Sequence, residues 1–179
     1  MASEPDAVSV RQARPEDVGR LQAIQLAAGN SFRDIGMPAV ADNPPLPVES
    51  LSGYWRAGRA WVAADEYDEP VGFVVADVLD GRVHIEQVSV HPARAGQRIG
   101  AMLLDHVAAW AAEQDLTGMT LITFRGVPWN APYYERLGFR ELPEAEVSPG
   151  LAALKASEPR NLAGRVCMFR ELGNGDAKL

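Results

Sequence analysis

The stretch Gln87–Leu104, Gln-Val-Ser-Val-His-Pro-Ala-Arg-Ala-Gly-Gln-Arg-Ile-Gly-Ala-Met-Leu-Leu, limits the possible folds more than any other part of the chain. It begins as a β-branched strand, is broken by Pro92, crosses a short basic loop with a glycine, and enters a helix. From Ile99 the apolar residues Ile99, Met102, Leu103, Val107, Trp110 and Ala111 recur at helical spacing. No Ser, Thr, Asp or Asn lies between His91 and Arg98 to cap that helix. The first amides of a helix need acceptors, and the helix dipole makes that end positive. With Arg94 and Arg98 alongside, the arrangement suits an anion such as a phosphate or pyrophosphate. An ordinary strand-to-helix connection with hydrated amides is the competing reading.

The remaining elements follow from local signals. Val8–Arg11 reads as a strand, and Pro15 with Glu16 and Asp17 opens a helix that runs to about Asn30. Phe32–Met37 is mixed in character. The four prolines of 38–47 predict a loop without regular helix or central strand. Glu49–Arg56 predicts a short helix. Ala60–Ala64, Val71–Val78 and Val83–Val90 form a meander whose last turn is Asp80-Gly81, a strong hairpin signal. A helix over Gln97–Gln114 then crosses to a strand at Met119–Phe124, which makes that strand parallel to Val83–Val90. Ala131–Leu137 predicts a short helix with Gly138 as its left-handed cap, and Phe139–Glu141 starts a strand. Residues 143–164 are a long connection with helical character at Gly150–Ala156. Arg165–Glu171 is the last strand, and 173–179 a frayed tail. This order implies an α/β fold with a mixed, largely antiparallel sheet flanked by helices. One domain spans 1–179, with its core at about 8–171.

Composition narrows the function classes. The net charge of −7 disfavours nucleic-acid binding, which needs a basic face. No run approaches 18 apolar residues, and the first residues carry no basic segment followed by an apolar one, so the chain reads as neither membrane-spanning nor secreted. A cytoplasmic location is the expectation. The single cysteine, Cys167, excludes an intrachain disulfide and a cysteine-based metal site, and its strand setting predicts a buried, inert thiol. His84, Glu86 and His91 are unevenly spaced across a strand-to-loop break, so no metal is expected.

A second motif lies at Trp129–Phe139: Trp-Asn-Ala-Pro-Tyr-Tyr-Glu-Arg-Leu-Gly-Phe. On its own, Asn130 suits an N-cap as well as a ligand contact, and Tyr133-Tyr134 suits core packing as well as chemistry. Taken with Val88-Ser89-Val90-His91-Pro92, Ala95-Gly96-Gln97-Arg98-Ile99-Gly100 and the element order, it resembles the GCN5-related N-acetyltransferases. Ala95 stands where that family usually has Gln or Arg, and Arg98 where it has the first motif glycine. The resemblance implies a splayed parallel strand pair in the sheet. It also implies that Arg94, Ala95, Gly96, Gln97, Arg98, Ile99, Gly100 and Ala101 hold the pyrophosphate of acetyl-CoA. Val88, Ser89, Val90 and Asn130 then hold its pantetheine arm, and Tyr134 faces the thioester sulfur. The implied partners are acetyl-CoA and an amine acceptor, with neither nucleic acid nor membrane; a homodimer stays open.

Acetyl transfer to an amine needs a base, a donor for the oxyanion and a proton for the departing thiolate. Tyr134 fits the last role. Alternation places His84, Glu86, Val88 and Val90 on one strand face. Glu86 sits where the family often has its base; His84 has the more convenient intrinsic pKa, and either could act through water. Asp34, Asp42 and Glu49 lie in the segment that would border an acceptor amine. The expected activity is N-acetyl transfer from acetyl-CoA to a primary amine by direct attack in a ternary complex. The alternative is a non-catalytic acyl-CoA sensor.

Overall fold

A computed structural model describes residues 7–158 and 164–173. Seven strands form one mixed sheet in the order β1-β2-β3-β4-β5-β7-β6. These are β1 (Ser9–Gln12), β2 (Ala60–Ala64), β3 (Pro70–Leu79), β4 (Arg82–Val90), β5 (Gly118–Phe124), β6 (Arg140–Glu141) and β7 (Arg165–Glu171). The helices are α1 (Val18–Gly29), α2 (Pro38–Ala41), α3 (Val48–Arg56), α4 (Ile99–Glu113), α5 (Ala131–Arg136) and α6 (Pro149–Ser157). β4 and β5 run parallel, with Val83, His84 and Ile85 opposite Met119, Thr120 and Leu121. The pairings β1–β2, β2–β3, β5–β7 and β6–β7 are antiparallel. This is the mixed, mainly antiparallel α/β fold expected from the element order. No helix among the described residues is long and apolar enough to cross a membrane.

The chain packs as two compact units, Met1–Ala76 with Gln87–His106, and Asp77–Glu86 with Val107–Leu179. In the first, Leu21 and Ile24 of α1 and Leu51 of α3 close over Val62, Phe73 and Val75. Asp17 is buried at the entrance to α1, where its carboxylate accepts from the Arg14 amide at 2.8 Å and pairs with Arg11 at 2.8 Å. In the second, Leu151 of α6 packs with Leu142 and Cys167, flanked by Leu79, Ile122, Val147 and Phe169. Asp80 takes a left-handed φ of 53° in the predicted hairpin turn, and its carboxylate accepts from the Gly150 amide at 2.9 Å. Bonds from Ser148 and from the backbone of Gly150 and Leu151 hold that carboxyl below its usual range. The hairpin turn thereby caps α6.

Several expectations need correction. The proline-rich stretch includes one α-helical turn, α2, because Pro38 stands at its first position, where a missing N–H costs nothing. The mixed segment forms a 3-10 helix over Asn30–Ile35, ended by Gly36 at φ 74°. On α4, Met102 is 37% exposed, and Leu104 joins Ile99, Leu103, Val107 and Ala111 as a buried position. The alternation of β4 fails between Val83 and Ile85, which are buried together with His84. A central strand is covered on both faces. The expected frayed tail, apart from Gly173, lies outside the described residues, as do residues 159–163 of the long connection.

Candidate active site

In the first unit, β4 ends at Val90 and the His91 amide donates to the Val71 carbonyl at 2.8 Å. The chain then turns through a short 3-10 helix, Pro92–Arg94. The His91 ring caps this turn, with Nδ1 accepting from the Ala93 amide at 3.1 Å. Gly96 at φ 78° and Arg98 at φ 59° then swing the backbone into α4. Arg98 occupies the left-handed region at the position where the resembling motif carries glycine. A side chain there costs roughly 1–2 kcal/mol. The Arg98 carbonyl accepts the first helical bond, from Met102 at 3.0 Å. Among the described residues, no side chain accepts from the amides of Ile99, Gly100 or Ala101.

What seats this helix entrance is an absence of side chain on β3. A Cβ on Gly72 would lie 3.1 Å from Ile99 Cγ2, 3.1 Å from the Ser89 carbonyl oxygen and 3.4 Å from Leu103 Cδ1. Ser89 is buried, and its hydroxyl accepts from Gln87 Nε2 at 2.8 Å, while Val88 and Val90 are half-buried. The two arginines differ. Arg94 lies 3.7 Å from the Asp65 carboxylate, with both side chains largely covered, and its guanidinium also reaches Gln97 at 3.4 Å. Arg98 is exposed and has no ion-pair partner among the described residues.

The second unit holds the titratable residues. His84 is 3% exposed by its side chain, and its Nδ1 lies 2.9 Å from the Thr120 hydroxyl across the parallel β4–β5 pair. Burial pushes the imidazole down to about 4, with Asp77 pulling weakly the other way. It is neutral at physiological pH. Its contact with Glu86, Nε2 to Oε2 at 3.9 Å, is therefore not an ion pair. The Glu86 side chain is 34% exposed, and its carboxyl is raised above the usual range. Burial is the main cause, the carboxylates of Asp77 and Glu158 add to it, and Arg165 opposes it. Arg165 and Glu158 are themselves joined two-fold, at 2.7 and 2.9 Å.

Asn130 and Tyr134 flank the start of α5. The Asn130 side chain makes no cap bond; Thr123, buried on β5, donates its hydroxyl to Asn130 Oδ1 at 2.6 Å. The Asn130 carbonyl accepts from the Tyr134 amide at 3.0 Å, which fixes Tyr134 on the first turn of α5. The Tyr134 ring meets Tyr133 and Phe139 edge to face, at 5.4 and 5.8 Å between centroids. Burial, helped by Tyr133, raises its phenol above the ordinary value, so the O–H stays intact at working pH. Gly138 caps α5 at φ 93°, as its position predicts. Trp129 is 38% exposed. Among the described residues, no group of three or more His, Cys, Asp or Glu side chains gathers as metal ligands would. Of the acids expected near an acceptor, Asp42 is paired with Arg33.

Sequence reasoning missed the two threonines of β5 that hold His84 and Asn130. For Thr120 a signal was present: a parallel register that starts at Val83 and Met119 puts His84 beside it.

The profile of the Acetyltransferase (GNAT) family matches residues 31–139. The chain is 27% identical over 141 residues to the peptidyl-lysine N-acetyltransferase YjaB of Salmonella typhimurium, covering 78% of this chain and 88% of that protein. A GNAT-family acetyltransferase from Staphylococcus aureus superposes with a TM-score of 0.68 at 21% identity, over 93% of this chain and 99% of the other. Rv2747 of Mycobacterium tuberculosis, solved in complex with CoA and NLQ, gives 0.68 at 22% identity over 92% and 99%. Sequence profile, relative and fold agree: this chain belongs to the GNAT acetyltransferase family.

Proposed function

We propose that this protein is an acetyl-CoA-dependent N-acetyltransferase that acts on a primary amine by direct attack. The observation that carries the reading is a carboxyl on the central strand, Glu86, held above its normal range by burial and neighbouring acids. A structural surface acid has no such requirement, whereas a general base near the working pH does. The anion-binding part falls to the entrance of α4, where the amides of Ile99, Gly100 and Ala101 and the guanidinium of Arg98 suit a pyrophosphate. Arg94, Ala95, Gly96 and Gln97 form the loop that presents them. The family resemblance assigns Val88, Ser89 and Val90 to the pantetheine arm, with an amide for the oxyanion, and assigns Asn130, whose Oδ1 is taken by Thr123, a contact to that arm through its NH₂ group.

In the reaction, the amine nitrogen bonds to the thioester carbonyl carbon and the carbon–sulfur bond breaks. The nitrogen's proton passes to Glu86, directly or through water. A lysine-like amine of pKa ~10.4 is mostly protonated at neutral pH, so a base beside it lowers a substantial barrier. The departing thiolate, of pKa ~8.5, gains a hydrogen bond from Tyr134. Because the Tyr134 phenol is raised, full proton transfer from it is uphill, and stabilising the sulfur anion by its O–H is the larger contribution. The lone Cys167 is buried with its thiol raised, unsuited to forming an acyl-enzyme.

The peptidyl-lysine acetylation for which the Salmonella relative is named makes a lysine-containing peptide the first acceptor to try, with small primary amines beside it. Acetyl-CoA should raise Tm where NAD and ATP do not. Coenzyme A release should then depend on an amine and be lost in Glu86→Gln. Binding without release from any amine would favour a non-catalytic acyl-CoA sensor instead.

A further inference from the structure

The buried imidazole of His84 has no assigned task, although it lies beside the proposed base. Its Nδ1 faces the Thr120 hydroxyl at 2.9 Å, and its Nε2 faces Glu86 Oε2 at 3.9 Å. A neutral imidazole carries one proton, and its place depends on the partners. A carboxylate opposite Nε2 repels a lone pair and attracts an N–H. The Thr120 hydroxyl can donate to Nδ1, which leaves the proton on Nε2. We infer that His84 is a positioning residue: held by Thr120, it presents an Nε2–H that orients the Glu86 carboxylate for proton abstraction and takes no proton itself.

This inference rests on the reading of Glu86 as the base. The 3.9 Å gap exceeds a hydrogen bond, but the terminal torsion of a carboxyl is soft, and a small rotation closes it. Among the described residues, the titratable groups acting on or facing Glu86 are Asp77 on β3, the neutral His84 on β4, Glu158 just after α6, and Arg165 on β7. None of the other three offers a neutral donor. Asp77 and Glu158 repel the carboxylate, and Arg165 is paired with Glu158 through one hydrogen bond and a close ionic contact. His84 also stays neutral over the working range, because burial pushes its imidazole down to about 4. That suits a constant donor and disqualifies it as the base.

The test compares His84→Gln, whose amide N–H can replace Nε2–H, with His84→Leu, which cannot, and with Thr120→Val. Imidazole nitrogen shifts in the whole protein should show the Nε2–H tautomer of the neutral ring through the physiological range. Carboxyl-carbon titration should show Glu86 rising further in His84→Leu and much less in His84→Gln. With acetyl-CoA and a lysine peptide, kcat should fall about tenfold in His84→Leu, with the KM for acetyl-CoA unchanged and most of the rate kept in His84→Gln. An Nδ1–H tautomer, or a Glu86 titration unmoved in His84→Leu, overturns the inference. So does an active Glu86→Gln beside an inactive His84→Gln, which would make His84 the base. The magnetic-resonance readouts do not need turnover. The expected titrations without coenzyme A release from any amine would keep the His84–Glu86 contact but overturn the proposed function, and with it the role of His84 in proton abstraction.

Discussion

Replacing Arg98 separates two effects that this one residue combines. Its backbone sits at φ 59°, where an L-residue pays roughly 1–2 kcal/mol and glycine nothing steric. Glycine loses about 0.5–1 kcal/mol through its freer unfolded chain. Arg98→Gly should therefore stabilise by about 0.5–1 kcal/mol, or roughly 1–4 °C in Tm for a chain of this size. Arg98→Ala keeps the positive φ and should gain nothing. Both remove the guanidinium. A buried charge-assisted bond to phosphate contributes ~1.5–3 kcal/mol, but Arg98 is exposed, and screening reduces this to about 1 kcal/mol, or some fivefold in affinity. Denaturation scans without ligand and acetyl-CoA titrations from low to ~1 M salt read the two effects apart, since the Debye length falls to ~3 Å at the upper limit. Both variants should bind several-fold more weakly at low salt and like the parent at high salt, and only the glycine should melt higher. Parent-like affinity in Arg98→Ala at low salt would refute the phosphate contact. Equal Tm in the two variants would refute the strain.

Tyr134→Phe should keep acetyl-CoA affinity and reduce kcat about 100-fold, the scale of a lost donor at a developing anion; steady-state kinetics beside calorimetric binding checks it. Gly72→Val should destabilise by about 1–3 kcal/mol in chemical denaturation and weaken acetyl-CoA binding together, because its side chain has to move the Ser89 carbonyl and the first turn of α4. Glu86→Gln should raise stability at pH 8 and not at pH 4. The folded pKa of Glu86 is above its unfolded value, so the native state binds the extra proton, and stability falls as pH rises through that window; a Glu86→Gln Tm no higher than the parent's at pH 8 would contradict it.

Much of the architecture could be read from local chemistry. Asp80-Gly81 gave the hairpin and Gly138 the cap of α5, because each position demands a left-handed backbone that few residues tolerate. The parallel β4–β5 pair followed from a helix between two strands. The exposure of Met102 and the burial of His84 were not legible in the same way. Periodicity says which residues share a face but not how much cover a neighbouring element provides. His84 lies in an alternating strand and reads as a half-solvated residue, yet it is buried, with Thr120 of the neighbouring β5 against its Nδ1. The Asn130 side chain was ambiguous for another reason: capping and ligand contact ask for the same residue type. Thr123 removes the capping role by taking Oδ1, and the ligand contact stays a proposal.

Three features that break ordinary sequence rules belong to residues proposed for the chemistry. Arg98 holds a glycine conformation, His84 is an imidazole kept neutral in the core, and Glu86 is an acid in partly dry surroundings with two other acids near it. Each carries a physical cost: a positive φ at Arg98, and desolvation of the His84 imidazole and the Glu86 carboxyl. Stability alone would favour Gly at 98, an apolar residue at 84 and Gln at 86. Three costly choices within one strand–loop–helix segment are what the proposed role of that segment predicts. For Glu86 and His84 the two costs are also linked. A glutamine at 86 would relieve the acids around it and leave His84 without a charge to face. A leucine at 84 would remove the Nε2–H and leave the Glu86 carboxylate between the repulsion of Asp77 and Glu158 and the attraction of Arg165. The double variant Glu86→Gln/His84→Leu should therefore be more stable than the sum of its single variants allows, which a thermodynamic cycle on the whole protein measures. Strict additivity would show that the 3.9 Å contact carries no coupling.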